Sequence, residues 1–124
     1  MDKNKRFCLT LDLKDDPALI REYCFWHQPE HIWPEIPEGI RKIGIIDMEI
    51  YLLKNRLFMI IETVQEFDWE KDLAILAELP RQKEWEAFVS KFQETSPDAS
   101  SANKWKLMER IFKLRVSSKQ SNKF

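Results

Sequence analysis

IIDMEIYLLKNRLFMIIET, residues 45–63, is the stretch that decides the fold. Its first half alternates: Ile46, Met48, Ile50 and Leu52 fall on one side, and Asp47, Glu49 and Tyr51 on the other. That period of two belongs to a β-strand with one face turned to a core. Lys54-Asn55-Arg56 breaks the run, and LFMIIET, residues 57–63, resumes it, so the stretch predicts an antiparallel hairpin. Working outward, FCLTLDL, residues 7–13, alternates in the same way, with Phe7, Leu9, Leu11 and Leu13 opposite Cys8, Thr10 and Asp12. A fourth alternating run, residues 105–114, follows the polar loop SPDASSAN, residues 96–103.

Helical patterns fill the gaps. Asp15-Asp16-Pro17 supplies a cap and a proline suited to the first helical position. Leu19, Ile20, Tyr23 and His27 then recur at helical spacing, and Pro29 should end that helix because it lacks an N–H and restricts Gln28. A short helix is expected over residues 34–43, stopped by Gly44. Asp68 caps a helix that Pro80 stops, and residues 82–94 carry Trp85, Phe88, Val89 and Phe92 on one stripe. The order β-α(α)-β-β-α(α)-β predicts an α+β fold of the ferredoxin-like, split βαβ kind, an antiparallel sheet with helices on one face. Residues 1–114 are expected to form a single domain and residues 115–124 a disordered tail. The sheet's second face, with its Asp47, Glu49, Tyr51 row, is too aromatic for plain solvent, which predicts a homodimer packed through it.

Composition narrows the function. A formal net charge of −1 gives no electrostatic case for nucleic acid or an anionic membrane. No apolar run approaches the roughly 18 residues of a membrane span, and the polar start MDKNKRF does not read as a secretory signal. Cys8 and Cys24 are expected to be reduced thiols in a cytoplasmic protein. Of the five tryptophans, most should be core residues; one or two could present a flat face to a sugar.

HQPEHIWPE, residues 27–35, contains both histidines of the chain. It matches H-x-x-E-H, in which two histidines on one helical turn hold zinc. Pro29 falls between His27 and His31 and argues against that turn, so no metal site is expected. The bland reading leaves both histidines at a helix end or the surface. The other reading makes one of them an acid–base catalyst.

Tyr23, then His27 four residues on, then Ile32-Trp33-Pro34-Glu35, the pair Ile50-Tyr51 ending a strand and an aromatic helix around Trp85 resemble the L-rhamnose mutarotase family, over residues 5–114. The resemblance implies a dimeric α+β barrel that interconverts the α and β anomers of a 6-deoxyhexose pyranose without cofactor or metal. It places the family's proton-donating histidine on His27 and a substrate-binding tyrosine on Tyr23. His31 is the fallback, without the spacing to Tyr23, because two extra residues separate His27 from the I-W-P-E run. Two departures bear on the sugar: Met48 stands where the family has a second tyrosine, and Glu84-Trp85 replaces a Trp-Trp pair. A pocket so altered could take L-fucose or a related sugar in place of L-rhamnose.

The chemistry suits these residue types. Mutarotation removes a proton from the anomeric hydroxyl and adds one to the ring oxygen, so it needs an acid and a base of moderate strength. Histidine, with an ordinary pKa of about 6.5, serves as either near neutral pH. Tyr23 and His27, at i and i+4, project from one side of their helix toward the Met48 face of the sheet. Glu84, Glu30 and Asp47 are candidates for a partner base. The rival expectations are a non-enzymatic dimeric interaction or ligand-binding domain, and a haem-binding relative of the same fold.

Overall fold

The hairpin forms, and the rest of the sheet assembles around it. The computed structural model describes residues 4–95 and 99–115. Along the chain run β1 (Lys5–Asp12), α1 (Pro17–Trp26), α2 (Glu35–Lys42), β2 (Ile45–Leu53), β3 (Arg56–Thr63), α3 (Trp69–Ala77), α4 (Gln82–Ser90), α5 (Ser101–Lys104) and β4 (Lys106–Leu107). The strands lie in the order β2-β3-β1-β4, each pair antiparallel. β1 and β2 therefore run parallel with β3 inserted between them, which is the split βαβ arrangement read from the sequence. Leu53 pairs with Arg56 across a turn of Lys54 and Asn55, and Asn55 Nδ2 ties that turn to the Leu13 carbonyl at 2.9 Å.

Helix starts follow the capping residues. Asp16 accepts from the backbone N–H groups of Ala18 and Leu19, with Pro17 in the first turn. Asp68 does the same for Lys71. The helices cover one face of the sheet: Leu9 and Leu11 of β1 and Leu57 and Ile61 of β3 share a buried cluster with Tyr23, Ile36, Leu76 and Trp85. Each such side chain taken out of water contributes about 1.5–3 kcal/mol. Asp47, Glu49 and Tyr51 stay exposed on the other face.

Three local expectations are corrected. Ile46 does not face the helices: Ile45 pairs with Thr63 and Asp47 with Glu62, so Ile46 is the extra residue of a β-bulge. The bulge moves the buried phase onto Ile45, 3% exposed against 49% for Ile46, while Met48 and Ile50 keep their expected side. The final strand is confined to Lys106–Leu107, followed by one further bond from the Met108 N–H to the Cys8 carbonyl. Alternation alone gives a strand no partner, and beyond Met108 no ladder to β1 forms, so residues 109–115 are exposed. Within the expected loop at residues 96–103, α5 forms; residues 96–98 lie outside the described residues, as does the expected tail apart from Arg115.

Candidate active site

α1 carries the first two site residues. Tyr23 is buried at 4% exposure, and His27, one turn further, is the residue on which the helix ends. His27 Nδ1 lies 2.8 Å from the backbone carbonyl oxygen of Tyr23. A carbonyl can only accept, so Nδ1 carries the proton and the neutral ring keeps its lone pair on Nε2. The ring sits against Tyr23 at a centroid distance of 4.1 Å and against Trp85 at 5.4 Å. Trp33, 5.1 Å away, buttresses Trp85 and carries the Arg81 guanidinium 4.0 Å above its own ring.

The rings of Tyr23, His27 and Trp85 open onto a cavity of about 110 Å³ between the helices and the sheet. That is several times the space a buried water needs. Tyr23, His27, Met48 and Trp85, the residues singled out in the sequence, all line it. Glu84 does not: it points outward, 3.2 Å from Arg81, with its side chain 67% exposed. His31 is also outside, stacked on Phe25 at 3.9 Å. Since α1 ends at His27 and the chain turns away through Pro29, the helical turn on which the zinc pattern depends is not formed.

Burial sets the protonation states. It lowers the pKa of His27, with the hydrogen bond to the Tyr23 carbonyl opposing the shift. It also raises the Tyr23 phenol well above its ordinary range, against a hydrogen bond from Gln93. Tyr23 therefore remains a neutral hydroxyl, able to donate to a ligand.

Sequence reasoning missed a polar wall in the same cavity. Gln82, Glu86 and Gln93 line it at 3%, 6% and 2% exposure, together with Ser101 and Lys104 of α5. Glu86 Oε2 accepts from Gln82 Nε2 at 2.8 Å and from Ser101 Oγ at 3.0 Å. Lys104 Nζ donates to the Glu86 backbone carbonyl at 2.7 Å. Burial pushes the Lys104 amine down to about 8, with the Glu86 charge opposing. A signal existed: Gln82, Glu86 and Gln93 recur at i, i+4 and i+11, beside the aromatic stripe that the sequence shows.

An antiparallel α+β sheet with a histidine and a tyrosine facing a cavity under its helices defines a small-molecule site in a ferredoxin-like frame. The particular kind follows from comparison with known proteins: the chain belongs to the L-rhamnose mutarotase family, whose pattern matches residues 6–114. An L-fucose mutarotase of Xanthomonas campestris is 37% identical over 110 residues, spanning 89% of this chain and 88% of that one. An L-rhamnose mutarotase of Burkholderia ambifaria is 32% identical over 91 residues, 72% of this chain and 82% of its own. The crystal structure of the L-rhamnose mutarotase of Formosa agariphila superposes with a TM-score of 0.67, covering 90% of this chain and 99% of that one. At 19% identity that last likeness speaks for the fold alone. Among the described residues no helix is long and apolar enough to cross a membrane.

Proposed function

We propose that this chain is an aldose mutarotase, an isomerase that interconverts the α and β anomers of a 6-deoxyhexose pyranose such as L-rhamnose or L-fucose, with His27 moving the proton. The family supports the reaction class, and one observation supports the residue: His27 has Nδ1 held by a backbone carbonyl and its ring on the cavity wall. In this reading Nε2 of the neutral ring takes the proton of the anomeric hydroxyl. The imidazolium so formed returns it to the ring oxygen, which is bonded to the same carbon, as the bond from that oxygen to the anomeric carbon breaks. The open-chain aldehyde turns about its bond to C2 and closes by the reverse steps. Atoms and electrons balance without a redox partner, so no cofactor is required. Tyr23 donates to a sugar oxygen, and Trp85 and Met48 give the apolar face of the pyranose a surface. Glu84, outside the cavity lining, is left to Arg81.

The test is anomer exchange followed by magnetisation-transfer NMR on L-rhamnose and L-fucose. Wild type should accelerate exchange of at least one sugar, and His27→Ala should lose about 10²–10⁴-fold, the usual worth of a positioned acid–base group. An unchanged rate in His27→Ala would remove His27 from the mechanism.

The same proposal includes a homodimer formed through the open sheet face and a cytoplasmic setting. Tyr51 and the apolar side chains of residues 108–114 offer exposed apolar area for the first, and the free thiols of Cys8 and Cys24 fit the second.

A further inference from the structure

Resting on the mutarotase reading, we infer that Glu86 and Gln93 are the specificity residues of this site, accepting hydrogen bonds from sugar-ring hydroxyls away from the anomeric carbon. Two independent features carry this. Gln93 is almost wholly buried, has its amide beside the Tyr23 phenol, whose pKa it holds down, and leaves its own Oε1 buried with no partner among the described residues. Folded proteins leave few buried acceptors unpaired, and a ligand hydroxyl entering the cavity satisfies this one. Glu86 is a buried carboxylate whose two side-chain donors, Gln82 and Ser101, converge on Oε2. A carboxylate offers about four acceptor positions, so capacity for ligand hydroxyls remains.

The rest of the lining explains why the wall reads hydroxyls and not the whole sugar. Ile36 and Ile40 of α2 and Leu73 and Leu76 of α3 make an apolar region in the same cavity. A 6-deoxyhexose has matching halves: a methyl group at C6 and hydroxyls at C2, C3 and C4. L-Rhamnose and L-fucose differ in configuration at C2 and C4, so acceptors fixed by α4, for Glu86, and by the bridge to Leu13, for Gln93, discriminate between them. Lys104 is a positioning residue here: its bond to the Glu86 carbonyl pins α5 to α4 and so brings Ser101 onto the carboxylate.

The experiment uses the full chain, with Glu86→Gln and Gln93→Met beside wild type. Dissociation constants come from titration calorimetry, and exchange rates from magnetisation-transfer NMR. The ligands are L-rhamnose, L-fucose and their monodeoxyfluoro analogues, in which fluorine cannot donate a hydrogen bond. Glu86→Gln should weaken binding of the preferred sugar about ten- to hundredfold, the worth of a hydrogen bond to a charged group, with the effect mainly on KM. One fluoro analogue should lose affinity for wild type yet bind Glu86→Gln no worse than the parent sugar does. Gln93→Met should bind sugar more weakly, and at equal sugar concentration its melting temperature should rise by less than that of wild type; a merely structural role lowers the melting temperature and leaves the sugar-induced rise unchanged. Wild-type-like affinity in both variants, or losses that track unfolding, would overturn the assignment. Wild type that binds sugar without speeding exchange would sink the mutarotase reading alone, since the affinity pattern still decides this one; no binding at all sinks both.

Discussion

His27 is held by one side-chain hydrogen bond and by the rings of Tyr23 and Trp85, and its pH behaviour follows from that bond and from burial. Burial holds its pKa below the ordinary value of about 6.5. In the proposed route the neutral ring is the resting form. The rate constant kcat/KM should therefore be flat at neutral pH and fall as pH drops through the folded pKa, with the inflection below about 6.5. Stability has the same sign. The unfolded chain takes up this proton near pH 6.5 and the folded chain only lower, so the contribution of neutral His27 is complete above that value and is lost as pH falls through the folded pKa. His27→Gln should remove its share of the acid-side slope, seen as a smaller wild-type-minus-variant difference in denaturant midpoint between about pH 7 and pH 5. An inflection above about 7 would contradict a desolvated imidazole. That this residue and Tyr23 meet was legible in the sequence, because i, i+4 spacing on a helix fixes which side chains come together; their choice as site residues rested on the family resemblance. Glu86 was not. An acid beside an aromatic stripe reads as solvated until its partners are known, and Ser101 and Lys104 come from α5, a helix hidden in a stretch that reads as loop.

Elements were legible where a residue type has one conformational use. Asp16, Asp68 and Gly44 each mark a boundary that the structure keeps. The bulge at Ile46 carries no such residue: alternation continues unbroken through it in the sequence, and only the pairing with β3 reveals the extra residue. Gly44 allows the sharpest prediction. It joins α2 to β2 at φ of +100°, and a Cβ there would stand 3.0 Å from Val64 Cγ2. Its carbonyl also accepts the Val64 N–H at 2.9 Å, so the backbone cannot easily move to relieve the contact. Gly44→Ala should cost about 1–3 kcal/mol in urea denaturation, while anomer exchange per folded molecule stays at the wild-type level. A neutral substitution would mean that the junction relaxes, and with it the placement of Met48 four residues on.

At the scale of the molecule, the cavity and the proposed dimer surface lie on opposite faces of the sheet, so they should be separable by experiment. Tyr51 is 55% exposed on the outer face, and Ile111 and Leu114, in the stretch after β4, are 81% and 86% exposed. Apolar side chains presented on a segment with no ladder of its own are a liability for a monomer and an asset for a pair. A second copy, related by two-fold symmetry, would cover both sets at once. Sedimentation equilibrium should therefore give twice the chain mass at micromolar concentration, and Tyr51→Lys with Ile111→Asp and Leu114→Asp should give the single chain. These positions are largely in solvent, so the variant should melt with the cooperativity of a folded chain. The proposed sugar site lies under the helices, on the side of the sheet away from exposed Tyr51, and the dissociated variant should keep its anomer exchange. Wild type that sediments as a monomer ends the dimer proposal. A dissociated variant that folds but loses exchange would instead mean that the partner's sheet holds the helix-covered face in its working shape.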